Sequence, residues 1–166
     1  MQALIQALIE VMAQTERVFL ELQPVVEKER AMVCSAKVDL LTANSLEKER
    51  LAALLKRLDQ QRCKLLDRIA LVTGIPVDRL TISLLAANAE PWQGHELKRL
   101  GQSLKTILNA IRRNNNENRA LIHHCLGMVR KTITFLSPQR SQAALYGASG
   151  SMADSGPGGR LVSGNI

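Results

Sequence analysis

Apolar residues recur along this chain in alternating steps of three and four. From residue 2 to about 34 the steps fall on Leu4, Leu8, Val11, Thr15, Val18, Leu22, Val25, Glu29 and Met32. That alternation is a heptad seam and predicts a long amphipathic helix. Pro24 stands inside it. An interior proline removes a backbone donor and crowds the preceding turn. The seam keeps its register across the proline, so one kinked helix is expected. A second seam follows over about 37–73, on Leu41, Asn44, Lys48, Leu51, Leu55, Leu58, Arg62, Leu65, Ile69 and Val72. Ser35 is the expected N-cap of this second helix, Gly74 its C-cap, and Pro76 the stop signal.

The stretch VDRLTISLLAANAEP predicts a short helix over about 79–89, capped by Asp78, and Pro91, Trp92 and Gly94 predict a joint. The last helix is expected over about 95–136. Its seam is Leu97, Leu100, Leu104, Ile107, Ile111, Asn114, Asn118, Leu121, Cys125, Met128, Thr132 and Phe135. Within it lies RRNNNENRALIHH, residues 112–124, whose three consecutive asparagines resemble a loop. The three–four alternation runs through them without slipping, so the stretch is read as helix. Asn114 and Asn118 then occupy seam positions, where a polar residue fixes register and partner choice at some cost in stability.

The apolar face of this last helix widens. Before the asparagines, Leu97, Leu100, Leu104, Ile107, Leu108 and Ile111 cover an arc of about 100° at 100° per residue. After them, Leu121, Ile122, Cys125, Leu126, Met128, Val129, Ile133, Phe135 and Leu136 cover about 180°. One neighbouring helix needs only the narrower arc. Two occupants fit the extra width: the short helix 79–89, or a helix from another protein.

Composition agrees with helices. The 166 residues include two Phe, one Tyr and one Trp, while Leu, Ala, Glu, Lys, Arg and Gln abound. The expected fold is all-α: an elongated antiparallel bundle of three long helices plus one short helix, residues 1–136. Residues 137–166 hold six of the ten glycines, six serines and two prolines. They read as a flexible tail that orders only on binding. The three cysteines have no paired spacing and read as reduced thiols. The first residues carry no basic start and reach Glu10 early, unlike a secretion signal. No uncharged apolar run approaches the roughly 18–20 residues of a membrane span.

Charge is uneven. The chain carries +7 overall. Residues 91–136 hold eight basic and two acidic residues, whereas residues 1–34 hold three basic and five acidic. Arg112, Arg113, Arg119, Arg130 and Lys131 raise a nucleic-acid reading. The strip has no aromatics for base stacking and no recognition motif, so that reading is set low. His123, His124 and Cys125 are adjacent, so on a helix they point about 100° apart and cannot share a metal ion. No nucleophile with its base and no phosphate-binding loop appears, and Glu47, Glu49, Asp59 and Asp67 lie among Lys and Arg as a solvated face. No catalytic residue, cofactor or metal ligand is assigned.

The order of segments resembles the FlgN family of flagellar type III export chaperones, which serve hook-associated (hook–filament junction) proteins. The likeness covers nearly the whole chain. It rests on a long helix followed by EKERAMVCSAKVDLLTANSLEKERLAALLKRLDQQRCKLLDRIALVTGIP, then on NNNENRALIHHCL, then on LYGASG at 145–150. The resemblance implies a cytoplasmic chaperone without catalysis. It would bind the helical C-terminal region of a hook-associated protein, prevent early assembly, and deliver it to the flagellar export apparatus. Its C-terminal part would carry the cargo contact, which here falls on Leu121, Ile122, Cys125, Val129, Ile133 and Leu136, with Leu145 and Tyr146 beyond. Such chaperones are commonly acidic, and this chain departs from them with a pI near 9.8. The alternatives are a self-associating coiled-coil module, making a homo-oligomer through the same face, and a basic helical RNA-binding arm.

Overall fold

The computed structural model describes residues 1–35 and 37–137. Four α-helices account for most of them: α1 (Gln2–Cys34), α2 (Val38–Thr73), α3 (Ile82–Ala87) and α4 (Pro91–Leu136). A 3-10 turn, Val77–Arg79, precedes α3, and no strand occurs among the described residues. The chain divides into two compact units, Met1–His124 and the part from Cys125 onward. Every packing contact in this subsection lies in the first.

The long helices fall where the seams place them, and the joints differ in detail. Ser35 closes α1 instead of opening α2: its hydroxyl donates to the carbonyls of Ala31 at 2.9 Å and Met32 at 3.2 Å. A serine within reach of its own last turn satisfies orphan carbonyls there, and Lys37 takes the N-cap of α2 with no side-chain bond. Gly74 ends α2 as expected, at φ 68, with its N–H donating to the Ala70 carbonyl at 2.8 Å. Asp78 does not cap the short helix. It sits in the 3-10 turn; the chain then extends at Leu80 and Thr81, and the Thr81 hydroxyl accepts the Leu84 N–H at 3.2 Å. A cap must be extended just before its helix, so α3 is only six residues long. Pro91, Trp92 and Gly94 are no joint; they form the start of α4. Proline suits a first helical position because that amide has no helical partner to lose. Pro24 stays inside an unbroken α1. It and Leu20, whose carbonyl loses its helical donor, are both exposed, so water can take that bond.

α1 is the central rod. α2 runs antiparallel to it and α4 parallel, as the links Lys48–Glu29, Gln93–Gln2 and Asn118–Val26 show. Because α1 serves two neighbours, it buries more than its seam: Ile5, Ile9, Met12 and Val26 join Leu8 and Val11. The core forms two clusters. The first gathers Ile5, Leu8, Ile9 and Met12 with Ile69, Leu85, Leu97 and Leu100. The second gathers Val26, Ile107 and Ile111, with Phe19 and Leu22 against them. Fully buried side chains such as Ile5, Ile69 and Leu97 each contribute about 1.5–3 kcal/mol. Arg99 of α4 adds a charged strap to Glu16 of α1 at 3.3 Å. A hydrogen bond from Ser103, with Arg99 assisting and burial opposing, holds the Glu16 carboxyl below its usual range. The contribution of that carboxyl is full above the usual carboxylate range and is lost as pH falls through its lowered value.

α3 lies on two glycines one heptad apart. A Cβ on Gly94 would stand 2.6 Å from the Ala86 carbonyl oxygen, and one on Gly101 would stand 2.6 Å from Ile82 Cδ1. The first obstacle is backbone and cannot swing aside. Gly94→Ala is therefore expected to lower stability in a urea melt by about 1–3 kcal/mol through overpacking. Gly127→Ala, with nothing within 4 Å of the new Cβ, should raise helix stability by up to about 1 kcal/mol. Equal effects from the two would remove close approach as the reason for Gly94.

Candidate partner-binding site

Three of the polar residues that interrupt the seams meet at one level of the first unit. Glu29 of α1 is buried. Its carboxylate accepts both bonds from Lys48 Nζ of α2, at 3.0 and 2.9 Å, and a 2.9 Å bond from Asn118 Nδ2 of α4. The same amide donates at 2.8 Å to the Val26 carbonyl. Asn114, one turn earlier on α4, reaches Glu27 at 3.4 Å, and Arg30 pairs with Glu117 at 3.1 Å. Asn44, one turn before Lys48, is buried as well. The asparagine-rich stretch is thus continuous helix, and Asn118 belongs to a polar junction joining three helices. The signal was present in the sequence as a polar residue on the seam of each helix. Nothing in the periodicity said that the three would meet.

α4 changes character after this junction. Leu121 is half-buried and Ile122 is 36% exposed. In the second unit Cys125 is half-buried, whereas Val129 (54%), Ile133 (58%) and Leu136 (70%) are exposed. Leu126, Met128 and Phe135 are exposed too. At 100° per residue, the apolar side chains from Cys125 to Leu136 cover about half of the helix circumference. Arg130, Lys131 and Thr134 take the other half. Seven of the seventeen large hydrophobics left exposed among the described residues fall in 122–136. Scattered surface leucines are ordinary, but a run on one helix face marks a contact surface. The short helix proposed as its cover is engaged on Gly94 and Gly101. Leu145 and Tyr146, assigned with this face, lie outside the described residues.

The other candidates have plain surroundings. Arg112, Arg113, Arg119, Arg130 and Lys131 are exposed, and among the described residues none lies within 4.0 Å of a carboxylate. His123 and His124 are exposed. Among the described residues no three His, Cys, Asp or Glu side chains gather as metal ligands would, and no helix is long and apolar enough to cross a membrane. Glu47 and Asp59 pair locally with Arg50 and Arg62 at 2.7 and 2.6 Å. Exposed pairs of this kind add little to stability.

The first unit is a helical bundle fastened at one level by a polar junction, and the second carries a helix end whose apolar half is bare. The family model described as FlgN protein matches residues 1–154, and the chain belongs to the FlgN family of flagellar export chaperones. Neither the curated proteins nor the solved structures gave a match.

The polar junction makes a distinctive stability pattern. Asn118→Leu takes one donor from a buried carboxylate and should lower the unfolding free energy by about 1–3 kcal/mol. Replacing Glu29, Lys48 and Asn118 together by Met, Met and Leu strands no polar group, so stability should return to near the starting value. If the junction sets register, light scattering on that triple variant should show mixed oligomers despite the recovered stability. A single stable monomeric or dimeric species, unchanged from the parent, would remove the register role of Asn118.

Proposed function

We propose that this chain is a cytoplasmic chaperone that binds the helical C-terminal region of flagellar hook-associated proteins. It holds that region from premature assembly and presents the protein to the flagellar export apparatus. One observation carries the reading: α4 ends in three turns whose apolar half is bare. Cargo segments that pair inside a filament junction are amphipathic helices, and such a helix is covered by laying its apolar stripe against another.

The cargo-binding residues in this reading are Leu121, Ile122, Cys125, Val129, Ile133 and Leu136, extended by Leu145 and Tyr146. A specific contact of ordinary size buries about 800 Å² on each partner. Arg130 and Lys131, flanking the apolar arc, favour a cargo helix with acidic flanks and speed its approach at low salt. Release is helped by moderate affinity: a cargo helix that orders on binding spends part of the interaction on its own folding.

The test is size-exclusion chromatography with light scattering. The chain is run alone and with the C-terminal segment of a hook-associated protein from the same genome, at two salt concentrations. A complex of defined stoichiometry is expected. Ile133→Asp and Val129→Asp should weaken it at least about tenfold, with circular dichroism unchanged because both side chains are exposed. Leu121→Asp is expected to act in the same direction. Self-association that needs 121–136, with no cargo complex, would replace this reading by the coiled-coil module. Salt-sensitive RNA binding in place of both would favour the basic-arm reading.

A further inference from the structure

The apolar core has a gap between its two clusters. One cluster ends near Met12 and Leu100, and the other begins at Phe19 and Ile107. Between them an open groove of about 640 Å³ runs along the first unit. Met12, Thr15 and Phe19 of α1 make its floor. The Thr15 hydroxyl is already donated to the Val11 carbonyl at 2.7 Å, so the floor asks for no polar partner there. Leu55 of α2 forms one apolar wall, and Leu104 and Leu108 of α4 form the other. Both walls are half-buried leucine, a state that leaves apolar area in water within a concave site.

α3 covers only part of this side of the core. Leu85 fills the same corridor one level up, against Ile69 and Leu97. α3 begins only at Ile82, which closes one end of the groove over Gly101. Beyond Ile82 the corridor between α2 and α4 continues without a helix in it. The α4 wall from Gly101 to Arg112 spans eleven residue steps, roughly 16 Å, or three helical turns. The space has the dimensions of a fourth helix that this chain does not supply.

The unpaired charges on its lining have one sign. Lys56 of α2 and Lys105 and Arg112 of α4 line the groove and are exposed, and none has a carboxylate within 4.0 Å among the described residues. The one carboxylate on the lining, Asp59, is held by Arg62 at 2.6 Å. Three unpaired cations beside a leucine corridor complement an amphipathic helix with acidic flanks.

We propose that this groove between α2 and α4, floored by Met12 and Phe19 and edged by Lys56, Lys105 and Arg112, takes an acidic amphipathic helix from a partner protein. The site shares no residue with the bare end of α4. Nothing in it depends on what the end of α4 binds.

The test uses the full chain and a synthetic peptide of about 18 residues, long enough to be helical in part on its own. One peptide carries Leu on one face and Glu on both flanks; its counterpart has Lys for every Glu. Binding is followed by anisotropy of a dye on the peptide, and its place by leucine methyl signals in NMR. The acidic peptide should saturate and shift Leu55, Leu104 and Leu108, and the basic one should not. Lys56→Glu with Lys105→Glu, both exposed positions, should weaken it at least about tenfold with unchanged circular dichroism. The Val129→Asp chain should bind it as the parent does. Equal binding of both peptides would overturn the proposal, and so would shifts confined to 126–136 or indifference to the charge reversal. Displacement of the peptide by decanoate at equal concentration would mark a site for small anionic amphiphiles and overturn it too.

Discussion

A heptad helix slid seven residues along its neighbour still sets apolar seam against apolar seam. The Glu29 carboxylate disfavours that slide here. In the observed register it receives Lys48 from α2 and Asn118 from α4. One heptad away it would be a buried charge facing hydrocarbon, at a cost of several kcal/mol after relaxation. A polar group that contributes little net stability can therefore decide the alignment of three long rods. The rest follows from that alignment. Glu16 meets Arg99, Arg30 meets Glu117, and α3 arrives over the two glycines that can accept it.

The helices and most of their inward faces were legible in the sequence because the period of apolar residues states them directly. The α4 seam from Leu97 to Ile111 is buried almost position for position. The α1 seam was too narrow, since a single three–four stripe describes one neighbour and α1 has two. The ends of helices were less legible. Ser35 and Asp78 are both good N-cap residues by type, but capping depends on which backbone nitrogen the oxygen can reach. Ser35 reached backward to its own helix, and Thr81 was nearer the start of α3 than Asp78. Val72 shows another limit: it continues the α2 seam yet is 61% exposed, one residue before the helix ends at Thr73.

The site was legible in a different measure. The widening of the apolar arc after Asn118 is a property of spacing alone, and the exposed face from Ile122 to Leu136 is that arc. The groove beside Leu55 and Leu108 was not legible. It lies between α2 and α4 where α3 does not reach, and α3 has six residues where the sequence pattern suggested eleven. A shortfall in one helix becomes a corridor between two others only after the three are aligned, and no periodicity within α2 or α4 records it.

Excess positive charge has a structural consequence once the pairs are placed. Three of the five acidic residues of α1 reach basic partners, Glu16 to Arg99, Glu29 to Lys48 and Glu21 to Arg50, while Arg30 of α1 pairs with Glu117 of α4. The bundle neutralises itself along those lines. Lys56, Lys105, Arg112, Arg113 and Arg119 are left over, and they project from α2 and α4 instead of consolidating them. Charges that add nothing to the fold still set up a field, and that field attracts acidic surfaces and repels basic ones before any contact forms. In the proposed function, where amphipathic helices are selected from many with similar leucine stripes, apolar burial would supply grip and the surplus cations would supply choice. The two roles fall on different residues, so either can change without undoing the other.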